Sequence, residues 1–377
     1  MKYPIAKPYI GKEEKAVVAK VLRSGVLSIG PEVVAFEKAF ALKLGTKFAC
    51  AVSSGTAGLH LTMLAAGLKK GDEVLTSPFS FIASANAILY VGATPVFVDI
   101  NPVSFNIDPD KIEEKITTKT KAILVVHIFG QSADMKPILK LANKYKLKVI
   151  EDACESLNAS YHGKKVGTFG ESAVFAFYPN KQMTTGEGGM IVTNDRSVDA
   201  LCRSLRNQGR SGNMQWLDHE RLGYNYRLDE MSAALGRVQL QKLDWLIAEK
   251  RRIAALYKKH LAPYQKFLLL PRIISGNIHS WFVYVINIKN PLIKRDAVIE
   301  DLEKLGISTK AYLPSIHLFS FYKKLFKYKR GDFPVSEAVS DCSLALPFYI
   351  GLKEKDIKII SNIVVATLEK HEKYLQK

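Results

Sequence analysis

KAILVVHIFGQSADMKPILKLANKYKLKVIEDAC, residues 121–154, decides the fold class. Two apolar runs, KAILVVHIFG and LKVIEDAC, each end in polar or small residues. Between them MKPILKLANKYKL repeats its apolar residues at helical spacing. Strand, helix and strand in succession predict a mainly parallel sheet covered on both faces. The pattern extends outward. EVVAFEKAFALKLG carries Val33, Phe36 and Phe40 on one helical face, FACAVSS reads as a buried strand running into Gly55, and DEVLTS and TPVFVDI supply two more strands. Folds of this kind bind ligands beyond the carboxyl ends of their strands, so the residues that follow each strand are the candidates for chemistry.

Residues 228–261, LDEMSAALGRVQLQKLDWLIAEKRRIAALYKKHL, hold few helix breakers and read as one long helix bridging two domains. Beyond Pro263 the alternation changes. SWFVYVINI, RDAVIEDLEKLG and the terminal EKDIKIISNIVVATLEKHEKYL predict a smaller α+β domain, with a large domain over residues 1–250 and the small one over 251–377.

A length of 377 residues is ample for a large buried core, and 47% hydrophobic with 24% charged residues is the composition of a globular protein. No apolar run is long enough to span a membrane, and MKYPIAKPYIGKEEKAVV lacks the features of a secretory signal, so the expected location is the cytoplasm. The four cysteines are scattered, with no C-x-x-C pair and no histidine at ligand spacing, which argues against a disulfide framework or a metal site. The formal charge of +18 is spread along the chain and interleaved with acids, so it suits attraction for small anions better than nucleic-acid binding.

Four strand-end stretches carry candidate chemistry. SSGTAGLHL, residues 53–61, sets hydroxyls and first-turn N–H groups where an anion could sit, although the same residues serve equally as a plain helix cap. TSPFSFIASAN offers Phe81 as a ring able to stack on a flat heterocycle or to join the core. VIEDAC ends in Glu151 and Asp152, and a carboxylate at the end of a buried strand needs a partner. FAFYPNKQMTTGEGG sets Lys181 where a strand gives way to small residues and glycines. A desolvated lysine reacts best with an aldehyde, and pyridoxal 5'-phosphate (PLP) unites the four features: an amine for its aldehyde, a carboxylate for its ring nitrogen, a cradle for its phosphate and a flat partner for its ring.

The chain resembles the DegT/DnrJ/StrS family of PLP-dependent sugar aminotransferases, which have the aspartate aminotransferase (type I) fold. The likeness runs almost end to end through LSIGPEVVAFEKAFA, AVSSGTAGLHL, GATPVFVDI, HIFGQSADM, VIEDACESLNASYHGKKVGTFG, FYPNKQMTTGEGGMIVTND, LGYNYRLDEMSAALGRVQL and PSIHLF. Its wording around Lys181 and EDACES is most similar to enzymes of the GDP-perosamine synthase type, which aminate C4 of a nucleotide-linked 4-keto-6-deoxy sugar. The resemblance implies transfer of an amino group from an amino-acid donor, glutamate first, to such a sugar, in the making of an O-antigen or another glycan. It makes Lys181 the Schiff-base lysine and Asp152 the partner of the pyridine nitrogen. Phe81 takes the stacking position, Gly55, Thr56 and Ala57 the phosphate turn, and Glu155 a position near the cofactor's phenolic oxygen. Asn225 matches a residue that reaches the phosphate from the neighbouring subunit, which implies a homodimer. Arg227 and His317 are candidates for the substrate's phosphates. Many relatives have a serine where this chain has Ala176, so one phosphate contact has to come from elsewhere, for example from SSGT. Two other activities fall within the resemblance: amination at C3, and a regulatory protein on the same fold. A sugar 3-dehydratase of the family would carry histidine in place of Lys181.

Overall fold

The structure is a computed structural model and describes residues 2–211 and 218–376. Its main sheet has seven strands: β1 (Phe48–Val52), β2 (Glu73–Thr76), β3 (Thr94–Phe97), β4 (Thr120–Val126), β5 (Lys148–Asp152), β6 (Ser172–Ala176) and β7 (Gly189–Thr193). They lie in the order β1-β7-β6-β5-β4-β2-β3. The pairs from β6 across to β3 are parallel, whereas β7 runs antiparallel to both β1 and β6. Both faces are covered, which is why strands such as β4 are apolar almost throughout. One face packs Phe175 against Phe36, Phe40 and Phe177; the other packs Val174 and Ile150 against Leu59 and Leu61. Successive side chains thus go to opposite cores, as the strand period requires.

The helix starts are fixed by side chains. Ser54 precedes the helix Gly55–Ala65 and its Oγ accepts from the Ala57 N–H at 3.0 Å. The helix Pro31–Leu44 has no cap of its own. The buried Glu230 carboxylate accepts instead from the N–H groups of Gly30, Glu32 and Val33, at 3.0, 2.7 and 3.1 Å.

The long helix expected over 228–261 is two helices, Glu230–Gln241 and Leu243–Leu261, meeting at Lys242. No proline or glycine causes the break. Lys242 is held from outside, its Nζ 2.8 Å from Glu13 and 2.9 Å from Glu14. The first helix packs on Lys12–Ser24 and Pro31–Leu44, and the second on the C-terminal helix Glu354–Leu375. Leu243, Leu246 and Ile247 belong to the core beneath the main sheet, and Ile253, Tyr257 and Leu261 to the C-terminal core, so this helix is shared by both and passes through residue 250 unbroken.

The C-terminal sheet has four antiparallel strands in the order Leu268–Leu269, Tyr284–Ile288, Ser343–Leu346 and Lys310–Ala311. The helices Arg295–Lys304 and Glu354–Leu375 close its core with Leu302, Ile360 and Leu368. Tyr3 reaches this region from the other end of the chain: it bridges to Ile307, and its hydroxyl donates to Asp356 at 3.3 Å. Among the described residues no helix is long and apolar enough to cross a membrane.

Candidate active site

The carboxyl ends of β1, β2, β5 and β6 open onto a cavity of about 430 Å³. Phe282, Tyr312 and Leu313 wall it from the C-terminal part of the chain.

β5 ends in two carboxylates that point to opposite sides, because neighbouring side chains on a strand alternate. Glu151 is wholly buried away from the cavity. It accepts from the backbone N–H groups of Gly167, Phe169 and Gly170, at 2.7, 2.6 and 2.8 Å. The His127 Nε2–H completes the set at 3.1 Å, its tautomer fixed because Nδ1 accepts from the Ala133 N–H. Asp152 faces the cavity. One oxygen accepts from the Ser84 hydroxyl at 2.6 Å and the other from the Cys154 N–H at 3.2 Å.

Lys181 lies in the loop joining the antiparallel strands β6 and β7. Phe177 closes that loop: its N–H donates to the Gly188 carbonyl, and its carbonyl accepts from the Thr185 N–H and the Thr184 hydroxyl. Gly188 has φ of 152°, and a Cβ there would lie 2.3 Å from Thr185 Oγ1, so the turn requires glycine. The Lys181 amine is 3.6 Å from Glu155 and 4.0 Å from the centroid of the Phe282 ring. Glu155 also accepts from the Phe129 N–H at 3.0 Å. Burial raises its proton affinity above the ordinary glutamate range, and the Lys181 charge and the Phe129 N–H offset only part of that. Burial likewise holds the Tyr312 hydroxyl protonated, with Glu155 acting in the same direction.

The Ser54-Gly55-Thr56 turn lines the cavity beside Ala176. A Cβ at Gly55 would lie 2.8 Å from that of Ala176 and 2.9 Å from Cys154 Sγ, so helix and strand meet here only because one partner lacks a side chain. Ala57 lies one step further along the helix, its N–H taken by Ser54. Phe81 precedes the helix Ile82–Tyr90, lines the cavity and is 60% exposed: its ring is held at the opening and is not packed in a core.

Lys181, Asp152, Glu155, Gly55, Thr56 and Phe81 therefore share one cavity. Four other expected residues do not line it: Ala57, one step behind the turn, and His317, Arg227 and Asn225. His317 is fully buried; its Nε2 lies 2.9 Å from Glu337, which also accepts from the Gly331 and Phe333 N–H groups. Burial lowers its proton affinity despite that carboxylate. Its ring is enclosed by Phe333 and Tyr328 and does not line the cavity of this chain. Arg227 donates to Asn207 at 2.9 Å and lines a separate hollow with Arg203 and Arg206, so within this chain it is not at the cavity. Asn225 is exposed and bridges to Asn207. Reading by strand ends missed Ser84, Tyr178, Phe282 and Tyr312. Ser84 alone left a signal, in the spacing Ser80-x-x-x-Ser84, whose hydroxyls lie 2.8 Å apart where the bend before the helix Ile82–Tyr90 meets its first turn.

The residues fit PLP. The cavity is of ligand size, an amine and a carboxylate face into it, a ring stands at its rim, and a helix start with two hydroxyl residues borders it. Among the described residues no cluster could hold a metal ion.

The model of the DegT/DnrJ/EryC1/StrS aminotransferase family matches residues 8–365. A GDP-perosamine synthase of Caulobacter vibrioides is 40% identical over 356 residues, 94% of this chain and 95% of that protein. Among solved structures, PseC of Helicobacter pylori, an aminotransferase involved in the biosynthesis of pseudoaminic acid, superposes with a TM-score of 0.93 at 29% identity over 98% of this chain and 100% of that one. DesV of S. venezuelae, solved in complex with a ketimine intermediate, gives 0.89 at 34% identity over 95% and 94%.

Proposed function

Because this chain belongs to the DegT/DnrJ/EryC1/StrS family of PLP-dependent sugar aminotransferases, we propose that it moves the amino group of an amino acid, L-glutamate first, to the C4 keto group of a nucleotide-linked 4-keto-6-deoxy sugar. The observation that carries this reading is the shared cavity of Lys181, Asp152 and Phe81. The 40% identity to a GDP-perosamine synthase supports the choice of sugar.

Bound PLP supplies an aldehyde that accepts amino groups and a ring that draws electrons from the carbon beside them. The Lys181 amine would hold that aldehyde and, when free, would serve as the base and acid that moves a proton beside it. Asp152 keeps a proton on the ring nitrogen, and the Ser84 hydroxyl fixes the carboxylate in place. Glu155, with its raised proton affinity, is suited to share a proton with Lys181 or with the ring's phenolic oxygen. Phe81, at the cavity opening, would cover one face of the ring and keep water from it. The Ser54 and Thr56 hydroxyls, with the helix start, take the phosphate that Ala176 cannot bind.

An adjoining hollow of about 280 Å³ shares Tyr178, Asn180, Phe282 and Tyr312 with this cavity and carries Lys310, a cation suited to the substrate's diphosphate. Exposed Asn225 would complete the phosphate site of a second copy, so the working form is a homodimer.

The test is Lys181→Ala with a panel of nucleotide-linked ketosugars. Wild-type protein should show the visible absorbance of lysine-linked PLP, lose it on adding glutamate and regain it with one class of ketosugar. The variant should show neither the absorbance nor transfer. Retention of both would refute the reading.

A further inference from the structure

Lys250, in the helix Leu243–Leu261, is 4% exposed and has no role in the chemistry above. A buried lysine ordinarily meets a carboxylate. Among the described residues this one has none. Its Nζ donates one hydrogen bond, to the Phe282 carbonyl oxygen at 3.3 Å, and lies 5.2 Å from the centroid of the Phe348 ring. Burial, reinforced by the charge on Lys181, brings its pKa down to about 7. A water-sized hollow of about 20 Å³ lies between the two lysines. The titratable groups facing it are Lys7 and Tyr9 from the N-terminal segment, Lys181 from the β6–β7 loop and Tyr349 from the segment after the last strand, with no carboxylate in its lining.

Phe282 is the residue whose ring lies against the Lys181 amine, 4.0 Å from Nζ. Its N–H donates to the Phe129 carbonyl at 3.0 Å, and the Phe129 N–H donates to Glu155, the carboxylate 3.6 Å from the same amine. The circuit therefore closes on Lys181, with a carboxylate on one side, a ring on the other, and both tied to the backbone of residue 282. Lys250 holds the remaining polar end of that residue, its carbonyl.

We propose that Lys250 is a positioning residue for the Lys181 amine: by binding the Phe282 carbonyl it keeps the Phe282 ring against Nζ, and so governs how firmly Lys181 holds PLP. This rests on the reading of Lys181 as the cofactor's lysine. It explains why an amine is kept where an apolar side chain of the same length would avoid the cost of burial.

The test compares wild type, Lys250→Met, Phe282→Leu and the double variant, measuring the PLP concentration that half-saturates the borohydride-trapped Lys181 peptide. Loss of one hydrogen bond predicts about a fivefold rise for Lys250→Met. The double variant should be no worse than Phe282→Leu, because both changes act on one contact. Effects that multiply, or no effect of Lys250→Met, would overturn the proposal.

Stability separates positioning from scaffolding. At pH 7 Lys250→Met should melt at or above the wild-type temperature, and a lower melting point would assign the lysine to the scaffold and overturn the proposal. The folded amine gives up its proton near pH 7 and the unfolded one near 10.5, so the unfolded chain binds the extra proton between them. Wild-type stability relative to Lys250→Met should therefore rise with pH through that window. A flat difference would mean a solvated amine that pins nothing, and would also overturn it. Wild-type protein that traps no PLP on Lys181 would instead sink the assignment of Lys181 itself.

Discussion

Glu151 and Asp152 are sequence neighbours, yet the two sides of the main sheet treat them differently. On the Glu151 side three backbone N–H groups and a histidine surround the carboxylate, so nothing is left for a ligand to satisfy. On the Asp152 side one hydroxyl and one N–H meet the carboxylate, which borders a cavity of about 430 Å³. A saturated carboxylate joins loops to a strand, whereas one with spare acceptor capacity is available to a bound molecule. The chemistry of the side chains is the same, and the difference lies in how many donors the fold aims at each.

Exchanging the two acids for their amides sharpens that contrast. Asp152→Asn should lower turnover by roughly 100-fold or more, since a group that holds a proton during reaction contributes on that scale. Its melting temperature should stay near wild type, and near-normal turnover would remove the ring-nitrogen role. Glu151→Gln should do the reverse. The amide turns a donor toward backbone N–H groups and removes the charge, costing about 2–4 kcal/mol of stability in a denaturant titration. The folded fraction should keep its turnover, and a large loss there would break the division between the two sides. The smallest effect belongs to Ser84→Ala, which leaves Asp152 charged but less well held. About a fivefold fall in turnover with little change in stability is expected, and no fall would mean that the Cys154 N–H alone orients the carboxylate.

Local pattern revealed part of this site and tertiary packing supplied the rest. Lys181, Asp152, Phe81 and the SSGT turn follow strands, and strands announce themselves by their apolar runs. Which of Glu151 and Asp152 faces the cavity was legible from the family resemblance but not from local pattern, because a strand buried on both faces is apolar on both and its parity is silent. Phe282, Tyr312 and Lys250 come from a distant part of the chain, brought over by the helix Leu243–Leu261 and the C-terminal sheet. The burial of His317 was hidden for a related reason: its partner Glu337 is a packing neighbour that no local spacing displays. The division of the long helix at Lys242 was hidden because no breaker marks it in the sequence, and the partners of Lys242, Glu13 and Glu14, lie far away along the chain.

The contact of Tyr3 with Asp356 spans 353 positions of the chain. During translation at about 5–20 residues per second, Tyr3 is made roughly 20–70 s before its partner. Ala6 and Pro8, which line the hollows beside Lys181, share that delay. The lysine's surroundings thus stay incomplete until Phe348, Tyr349 and Ile350, which line the same hollow, have been made.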